Sequence, residues 1–156
     1  MLDTPHITAT TAQQAAVIHI TVPRAKIQEV MGPAMGEVMA AIATQGIAPA
    51  GPMFSHHLKM SPGVFDFEVG VPVSTPVATV GRVKPGQLPA TRVARTVYRG
   101  RFEGLFAAWG EFDAWVAAEG LTPGPDLWEC YLSGPEANPD PATYRTELNR
   151  PLVGAA

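Results

Sequence analysis

The sequence has little of what several classes of protein require. Cys130 is the one cysteine among 156 residues, which excludes an internal disulfide framework and a zinc or iron–sulfur site built from several cysteines. Charged residues make up only 16% of the chain, the net charge is −3, and no basic run occurs, so the positive surface of a nucleic-acid-binding protein is missing. No apolar stretch reaches the roughly 18 residues of a membrane span, and the N-terminus lacks the basic start of a signal peptide. These absences predict a cytoplasmic protein that binds neither nucleic acid directly nor membranes.

What is present fits one globular domain. Hydrophobic residues make up 46% of the sequence, and the length matches the usual size of a single domain. Sixteen prolines and fifteen glycines are scattered along the chain, which indicates many short elements. We therefore expect one domain over residues 1–156.

The chain has the order of elements strand, helix, strand, strand, written twice. Periodicity and turn residues predict a strand, a helix and a hairpin in each half, over residues 14–22, 24–46, 53–59 and 64–73, and then over 91–99, 102–120, 127–132 and 144–152. Phe54 and Trp128 open similar strand segments 74 residues apart, and Gly46 and Gly120 end the two helices at the same offset. The sequence therefore predicts pseudo-repeats over about 12–75 and 88–153, joined by a crossover at 74–89.

This pattern predicts an α+β fold, a duplicated βαββ module in which an antiparallel sheet carries the two main helices on one face and a groove on the other. Alternation along the strands places Trp128 and Cys130 toward the helices, with Glu129 and Tyr131 on the opposite face. Three further polar side chains are assigned to that face: Glu147, His57 and Glu68. A simpler alternative is that this face is merely wet, as in many antiparallel sheets.

A cleft that gathers Glu129, Tyr131 and Glu147 would suit a lipophilic cation, through charge pairing and cation–π contact. It would equally suit general acid–base chemistry. Trp109 and Phe106, on the second predicted helix, are candidates for the rim of such a pocket. His56 and His57 are adjacent on a strand and point to opposite faces, so they cannot chelate one ion together, and we expect no metal or cofactor.

Several motifs together resemble one known family. They are Leu88-Pro89-Ala90, Tyr98-Arg99-Gly100-Arg101-Phe102, Trp128-Glu129-Cys130-Tyr131, Thr146-Glu147-Leu148 with Pro151, and Phe65-Asp66-Phe67-Glu68-Val69-Gly70-Val71-Pro72-Val73. In order and spacing the chain is similar to the GyrI-like small-molecule-binding domains, which also occur as effector-binding domains of AraC-type and MerR-type multidrug regulators. It departs from the family at Tyr98, where histidine is common, and at Phe102, where tyrosine is common.

The resemblance implies a groove between the two repeats that takes hydrophobic and often cationic small molecules. It places a glutamate at Glu129 in the groove, with Tyr131, Trp109 and Glu147 at matching lining positions. Some stand-alone relatives hydrolyse strained cyclopropane natural products, which would make Glu129 and Tyr131 catalytic, and others inhibit gyrase. Because no helix-turn-helix fits before residue 14, we expect a stand-alone binding module, with the hydrolase and a protein partner, gyrase or a regulator, as alternatives. A haem carrier of the related SOUL type is a further alternative that the resemblance implies.

Overall fold

The computed structural model describes residues 2–61, 63–133, 140 and 143–153, and these form an α+β fold with the predicted duplicated βαββ order. The strands are β1 (His6–Ala9), β2 (Gln13–Pro23), β3 (Phe54–Ser61), β4 (Val64–Pro72), β5 (Lys84–Leu88), β6 (Arg92–Arg99), β7 (Thr122–Pro123), β8 (Leu127–Ser133) and β9 (Arg145–Val153). The helices are α1 (Ile27–Thr44) and α2 (Leu105–Ala118). The chain divides into two compact units, residues 11–90 and residues 1–10 with 91–156.

The unit of residues 11–90 contains an antiparallel sheet in the order β3-β4-β2-β5, with α1 on one face. Ile18 lies opposite Val69 and Ile20 lies opposite Phe67, so these residues share one face of the sheet. All of them belong to the core beneath α1, which means that alternate residues of β2 and β4 face the helix. The core between helix and sheet is made of buried aliphatic and aromatic side chains, including Ile18, Phe67, Val69, Val38 and Ile42. Glu68 of β4 alternates with Phe67 and Val69 and so faces away from α1, as predicted, and Asp66 does the same.

Helix α1 begins and ends close to the predicted limits. A 3-10 turn at Arg24–Lys26 precedes it, and Gly46 follows it with a φ of 69°, a left-handed conformation that glycine adopts at the end of a helix. Pro33 lies inside the helix. The helix predicted over residues 24–46 is therefore confirmed, with a 3-10 turn in place of its first three residues.

The segment predicted as a crossover contains strand β5, which pairs with β2 at the edge of this sheet. The prediction missed it because Pro85 and Gly86 are unusual in strands, but an edge strand tolerates both. Gly86 is also required by space, since a Cβ there would lie 2.6 Å from a methyl carbon of Val17. Gly70 of β4 lies opposite Val17 in the neighbouring strand. A Cβ at Gly70 would lie 2.6 Å from a methyl carbon of Val17.

The second unit contains an antiparallel sheet in the order β1-β6-β9-β8. The short strand β7 pairs with the end of β9, at Leu152 and Val153. Strands β1 and β7 are short and were not predicted. Helix α2 packs on one face through Ala108, Phe112 and Val116, which contact Leu148 and Leu152 of β9. Leu148 and its alternate neighbours therefore define the face of this sheet that is covered by α2.

None of the helices in the described part of the chain is both long enough and apolar enough to cross a bilayer.

Candidate functional site

Glu129 lies on the face of the sheet that packs against α2. In the pairing of β8 with β9 it is directly opposite Leu148, a core residue under that helix. Residues directly opposite each other in neighbouring strands point to the same side. The prediction that Glu129 and Tyr131 face away from the helices is therefore wrong, and so is the placement of Trp128 and Cys130 toward them, since these lie opposite Asn149 and Glu147 on the other face.

The carboxylate of Glu129 is held by two side chains. Trp109 of α2 donates its indole Nε1–H to Oε2 at 2.6 Å, and the hydroxyl of Tyr131 donates to Oε1 at 2.9 Å. Glu129 is only 9% exposed. Burying a carboxylate is costly unless hydrogen bonds replace its water, and these two bonds supply that replacement.

The local structure explains how Trp109, Glu129 and Tyr131 meet at one point. Glu129 and Tyr131 are two apart on β8, so they share a face, and the pairing with β9 becomes irregular just after Tyr131. Trp109 lies one turn into α2, above this end of the strand. A helix and a strand thus each contribute donors to a single acid.

Aromatic rings continue the cluster from Tyr131. Phe102, in the 3-10 turn Phe102–Gly104 before α2, meets Tyr131 edge to face with ring centroids 6.1 Å apart. It also stacks on Tyr144 at 5.0 Å. Sequence reasoning did not select Phe102 or Tyr144, although the resemblance had singled out Phe102 as a departure from the family. Together these rings make the surroundings of Tyr131 largely aromatic.

Thr146 is a further polar residue on this face, and it was not selected as a site residue although it lies in one of the family motifs. It lies opposite Tyr98 on one side and Tyr131 on the other, and it is fully buried. Its hydroxyl has no hydrogen-bond partner among the described residues. An alternation of polar and apolar residues cannot reveal such a site, since threonine is also a common residue of buried strands.

Glu147 is on the opposite face from Glu129, because it lies opposite Cys130 in β8 and Val97 in β6. Its carboxylate accepts a hydrogen bond from Asn149 at 3.1 Å and lies 3.5 Å from the guanidinium Nε of Arg95. Glu147 does face away from the helix as predicted, but the predicted grouping of Glu147 with Glu129 and Tyr131 is wrong.

Cys130 lies beside Glu147 on that second face, and its thiol is buried. Burial in the first place, and then the negative charge of Glu147, raise the pKa of Cys130 to about 12. A thiol with this pKa carries almost no thiolate near neutral pH, so it is a poor nucleophile. Cys130 is therefore a small buried side chain and not a nucleophile of the site.

In the other unit, His57 and Ser55 are on the face covered by α1, because His57 lies opposite Phe67 and Ser55 opposite Val69. This corrects the prediction that His57 points away from the helix. The Ser55 hydroxyl and His57 Nε2 are 3.4 Å apart. The ring of His57 stacks on Phe67 at 5.0 Å and meets Phe65 edge to face.

Burial lowers the pKa of His57 to about 4, and electrostatic interactions with His56 and Arg24 contribute in the same direction. The imidazole is therefore neutral near pH 7. Glu68 lies on the other face of this sheet, opposite both His19 and His56. His19 in turn hydrogen-bonds Asp66. His57 and Glu68, both predicted ligand residues, are thus on different faces of their own sheet.

The two candidates on α2 differ in exposure. Trp109 is half-buried and bonded to Glu129, whereas Phe106 is 84% exposed near the start of the helix. Within the described residues there is no group of three or more histidine, cysteine or acidic side chains that could hold a metal ion. The Glu129 site brings together a buried carboxylate, the two neutral donors Trp109 and Tyr131, and aromatic rings.

The duplicated βαββ fold described above is that of a class of small-molecule-binding domains. A family model described as a GyrI-like small molecule binding domain matches residues 3–152 of the chain. The chain therefore belongs to the GyrI-like family, as the sequence motifs predicted, and it is a small-molecule-binding domain.

Solved structures share the fold at low sequence identity. The C-terminal domain of EcmrR has a TM-score of 0.85 and 16% identity, over 97% of this chain and 98% of that domain. EcmrR in a complex with DNA has a TM-score of 0.83 and 20% identity, and this chain spans 58% of its length while 97% of this chain is covered. SAV2435 bound to tetraphenylphosphonium has a TM-score of 0.73 and 13% identity, over 97% of this chain and 95% of that one. Comparison with curated proteins gave no match.

Proposed function

We propose that the protein binds hydrophobic cations, with Glu129 as the charge partner and Tyr131 and Trp109 as the aromatic residues beside it. The observation that carries this proposal is the buried carboxylate of Glu129, fixed by Trp109 Nε1 at 2.6 Å and by the Tyr131 hydroxyl at 2.9 Å. Both donors are neutral groups, so their bonds orient the negative charge without cancelling it.

The surroundings of this charge favour a lipophilic cation. A cation gains from a carboxylate at low local dielectric and from the faces of tryptophan and tyrosine rings. Apolar substituents on the ligand gain from contact with rings such as Phe102. The fold of SAV2435, whose structure contains tetraphenylphosphonium, supports the same class of ligand.

Not every predicted residue enters the proposal. Glu147 is left out because it faces the other side of the sheet and pairs with Arg95. The contributions of His57, Glu68 and Phe106, and the groove between the two repeats, stay predictions from the sequence. So do a cytoplasmic location and a protein partner such as gyrase or a regulator.

The test is isothermal titration of the protein with tetraphenylphosphonium and with the neutral triphenylphosphine oxide. The variants are Glu129→Gln and, as the matched control, Glu147→Gln, which makes the same chemical change one strand away on the opposite face. Loss of a hydrogen-bonded charge costs about 1–3 kcal/mol. Glu129→Gln should therefore weaken binding of the cation by about 5- to 150-fold, while binding of the neutral compound changes little.

Glu147→Gln should bind both compounds as the parent protein does. An equal loss of the cation in both glutamine variants, or no loss in Glu129→Gln, would contradict the proposal. Thermal unfolding of each variant without ligand shows whether a loss of binding comes merely from a loss of structure.

A second candidate function is hydrolysis of an electrophilic ligand, which the Tyr131–Glu129 hydrogen bond favours. Glu129 would accept a proton from water as the water oxygen bonds to an electrophilic carbon and the bond from that carbon to the leaving atom breaks. Tyr131 would protonate the leaving atom, and the proton held by Glu129 would then pass to Tyr131, which restores both groups. Mass spectrometry of a cyclopropane-containing electrophile after incubation distinguishes the two functions. A mass increase of one water that disappears in Glu129→Gln identifies a hydrolase, and an unchanged ligand identifies a binding protein.

A further inference from the structure

We propose that Tyr98 and Gly104 are positioning residues for the Glu129 site: the Tyr98 hydroxyl fixes the turn before α2, and this turn holds Phe102 against Tyr131. The inference concerns how the site is built, and its link to ligand affinity rests on the proposed function. Neither Tyr98 nor Gly104 contacts Glu129 in any bond described above, so their effect passes through other side chains.

The first link is between β6 and the turn. Tyr98, near the end of β6, is 9% exposed, and its hydroxyl donates to the carbonyl oxygen of Arg101 at 2.8 Å. The same carbonyl accepts the backbone N–H of Gly104 at 3.0 Å, which closes the 3-10 turn. One oxygen thus joins the turn to the tyrosine and to the first residues of the helix.

Gly104 is required by space and not by backbone conformation. Its φ is −83°, which any residue can adopt. A Cβ at this position, however, would lie 2.0 Å from the Tyr98 hydroxyl oxygen and 3.0 Å from the ring carbon that carries it. Gly100, at the other side of the turn, would also place a Cβ 3.0 Å from that hydroxyl. The tyrosine therefore fills the space beneath a turn that approaches it closely.

The second link runs from the turn to the acid. Phe102 lies in this turn, and its ring contacts the ring of Tyr131 edge to face. The ring of Phe102 also stacks on the ring of Tyr144, with centroids 5.0 Å apart. Tyr131 then donates its hydroxyl to Glu129. Because the rings of Phe102 and Tyr131 are in contact, a displaced turn that moves Phe102 also changes the position of Tyr131.

The test uses Gly104→Ala, with Gly110→Ala of the same helix as the matched control. A Cβ at Gly110 meets no atom within 4 Å, so that change alters helix propensity alone. The readout without ligand is the NMR resonance of the Trp109 indole N–H, which reports its hydrogen bond to Glu129 and is assigned with Trp109→Phe. We expect this resonance to shift in Gly104→Ala and to stay in place in Gly110→Ala.

Rescue separates positioning from general damage. In Tyr98→Phe/Gly104→Ala the contact at 2.0 Å is gone and the closest remaining contact is 3.0 Å. In Gly104→Ala we expect the affinity for tetraphenylphosphonium to fall about tenfold or more, by analogy with a lost bond to a charged group. In the double variant the Trp109 resonance should return most of the way to its parent position, and the affinity should recover with it. Tyr98→Phe alone should have a smaller effect, since the N–H of Gly104 still closes the turn.

An unmoved resonance in folded Gly104→Ala, or a double variant no better than the single one, would overturn the proposal. Should Gly104→Ala not fold, the double variant and Phe102→Leu, which removes the ring contact with Tyr131, carry the same test: a native resonance in Phe102→Leu would overturn it. Failure of the proposed function is recognised separately. In that case the parent protein would not bind tetraphenylphosphonium, but the Trp109 resonance would still shift in Gly104→Ala and still return in the double variant.

Discussion

Glu129 and Glu147 lie on neighbouring strands of one sheet but on opposite faces of it. Glu129 is opposite Leu148 and bonded to Trp109 of α2, whereas Glu147 is opposite Cys130 and bonded to Asn149. The two acids therefore have different surroundings, one aromatic with neutral donors and one polar with an arginine nearby. Changes at one acid can be read without direct interference from the other.

The hydrogen bond between Trp109 and Glu129 should contribute measurably to stability. Replacing Trp109 by phenylalanine removes the donor at 2.6 Å and leaves the buried carboxylate with one bond fewer. Hydrogen bonds to charged groups contribute about 1.5–3 kcal/mol to the free energy of unfolding, so Trp109→Phe should lose about that much in addition to its loss of packing. Urea denaturation of the purified variant measures the change.

A double-mutant cycle isolates the bond from the packing. In the Glu129→Gln background the same tryptophan change should cost about 1 kcal/mol less than in the parent, because the bond to a neutral amide is weaker. Equal costs in the two backgrounds would show that Trp109 acts through packing alone.

The faces of β3 and β8 could not be predicted, for a reason that their burial makes clear. Residues 54–57 and 127–130 are buried without interruption, so the strands are covered on both sides and their alternation of polar and apolar residues does not identify the helix side. In β4 the same reasoning succeeded, because Phe67 and Val69 are buried while Asp66 and Glu68 are half-exposed.

The pairing of Glu129 with Tyr131 needed only the two-residue period, which places both on one side whichever side that is. The contact of Trp109 with Glu129 depends on how α2 crosses the sheet, which a single sequence does not give. Phe102 and Thr146 were missed for the same reason: each becomes part of the site through its position opposite or beside Tyr131. The order of elements, by contrast, was predictable because helix and strand periods differ clearly.

His57 should make the stability of the protein depend on pH below neutrality. The pKa of His57 is lowered from 6.5 to about 4 in the folded chain. Between these values the unfolded chain binds the proton more strongly, so the free energy of unfolding falls as the pH is lowered from about 6.5 toward 4. From pH 7 to pH 4.5 this one group should account for a loss of about 2 kcal/mol.

The control for this prediction is His57→Phe, which keeps a ring against Phe67 and has no titrating group. Carboxylates also titrate in this range, but they do so in both proteins, so the difference between the two pH profiles belongs to His57. Chemical denaturation at a series of pH values should give a shallower decline in the variant, and superimposable profiles would contradict the assignment.

Gly70 of β4 should be the least replaceable glycine of the unit formed by residues 11–90. A Cβ there would lie 2.4 Å from the carbonyl oxygen of Ala16 and 2.6 Å from a methyl carbon of Val17, and neither atom can move freely. Gly70→Ala should therefore lower the free energy of unfolding by about 2 kcal/mol or more, as overpacking in a close-packed core does. Gly36→Ala in α1, where a Cβ meets nothing within 4 Å, should instead raise it by about 0.5–1 kcal/mol through helix propensity. Urea denaturation of both variants decides the matter: opposite signs support the close approach of β2 and β4 at Gly70, and a harmless Gly70→Ala would mean that the two strands are farther apart than the register requires.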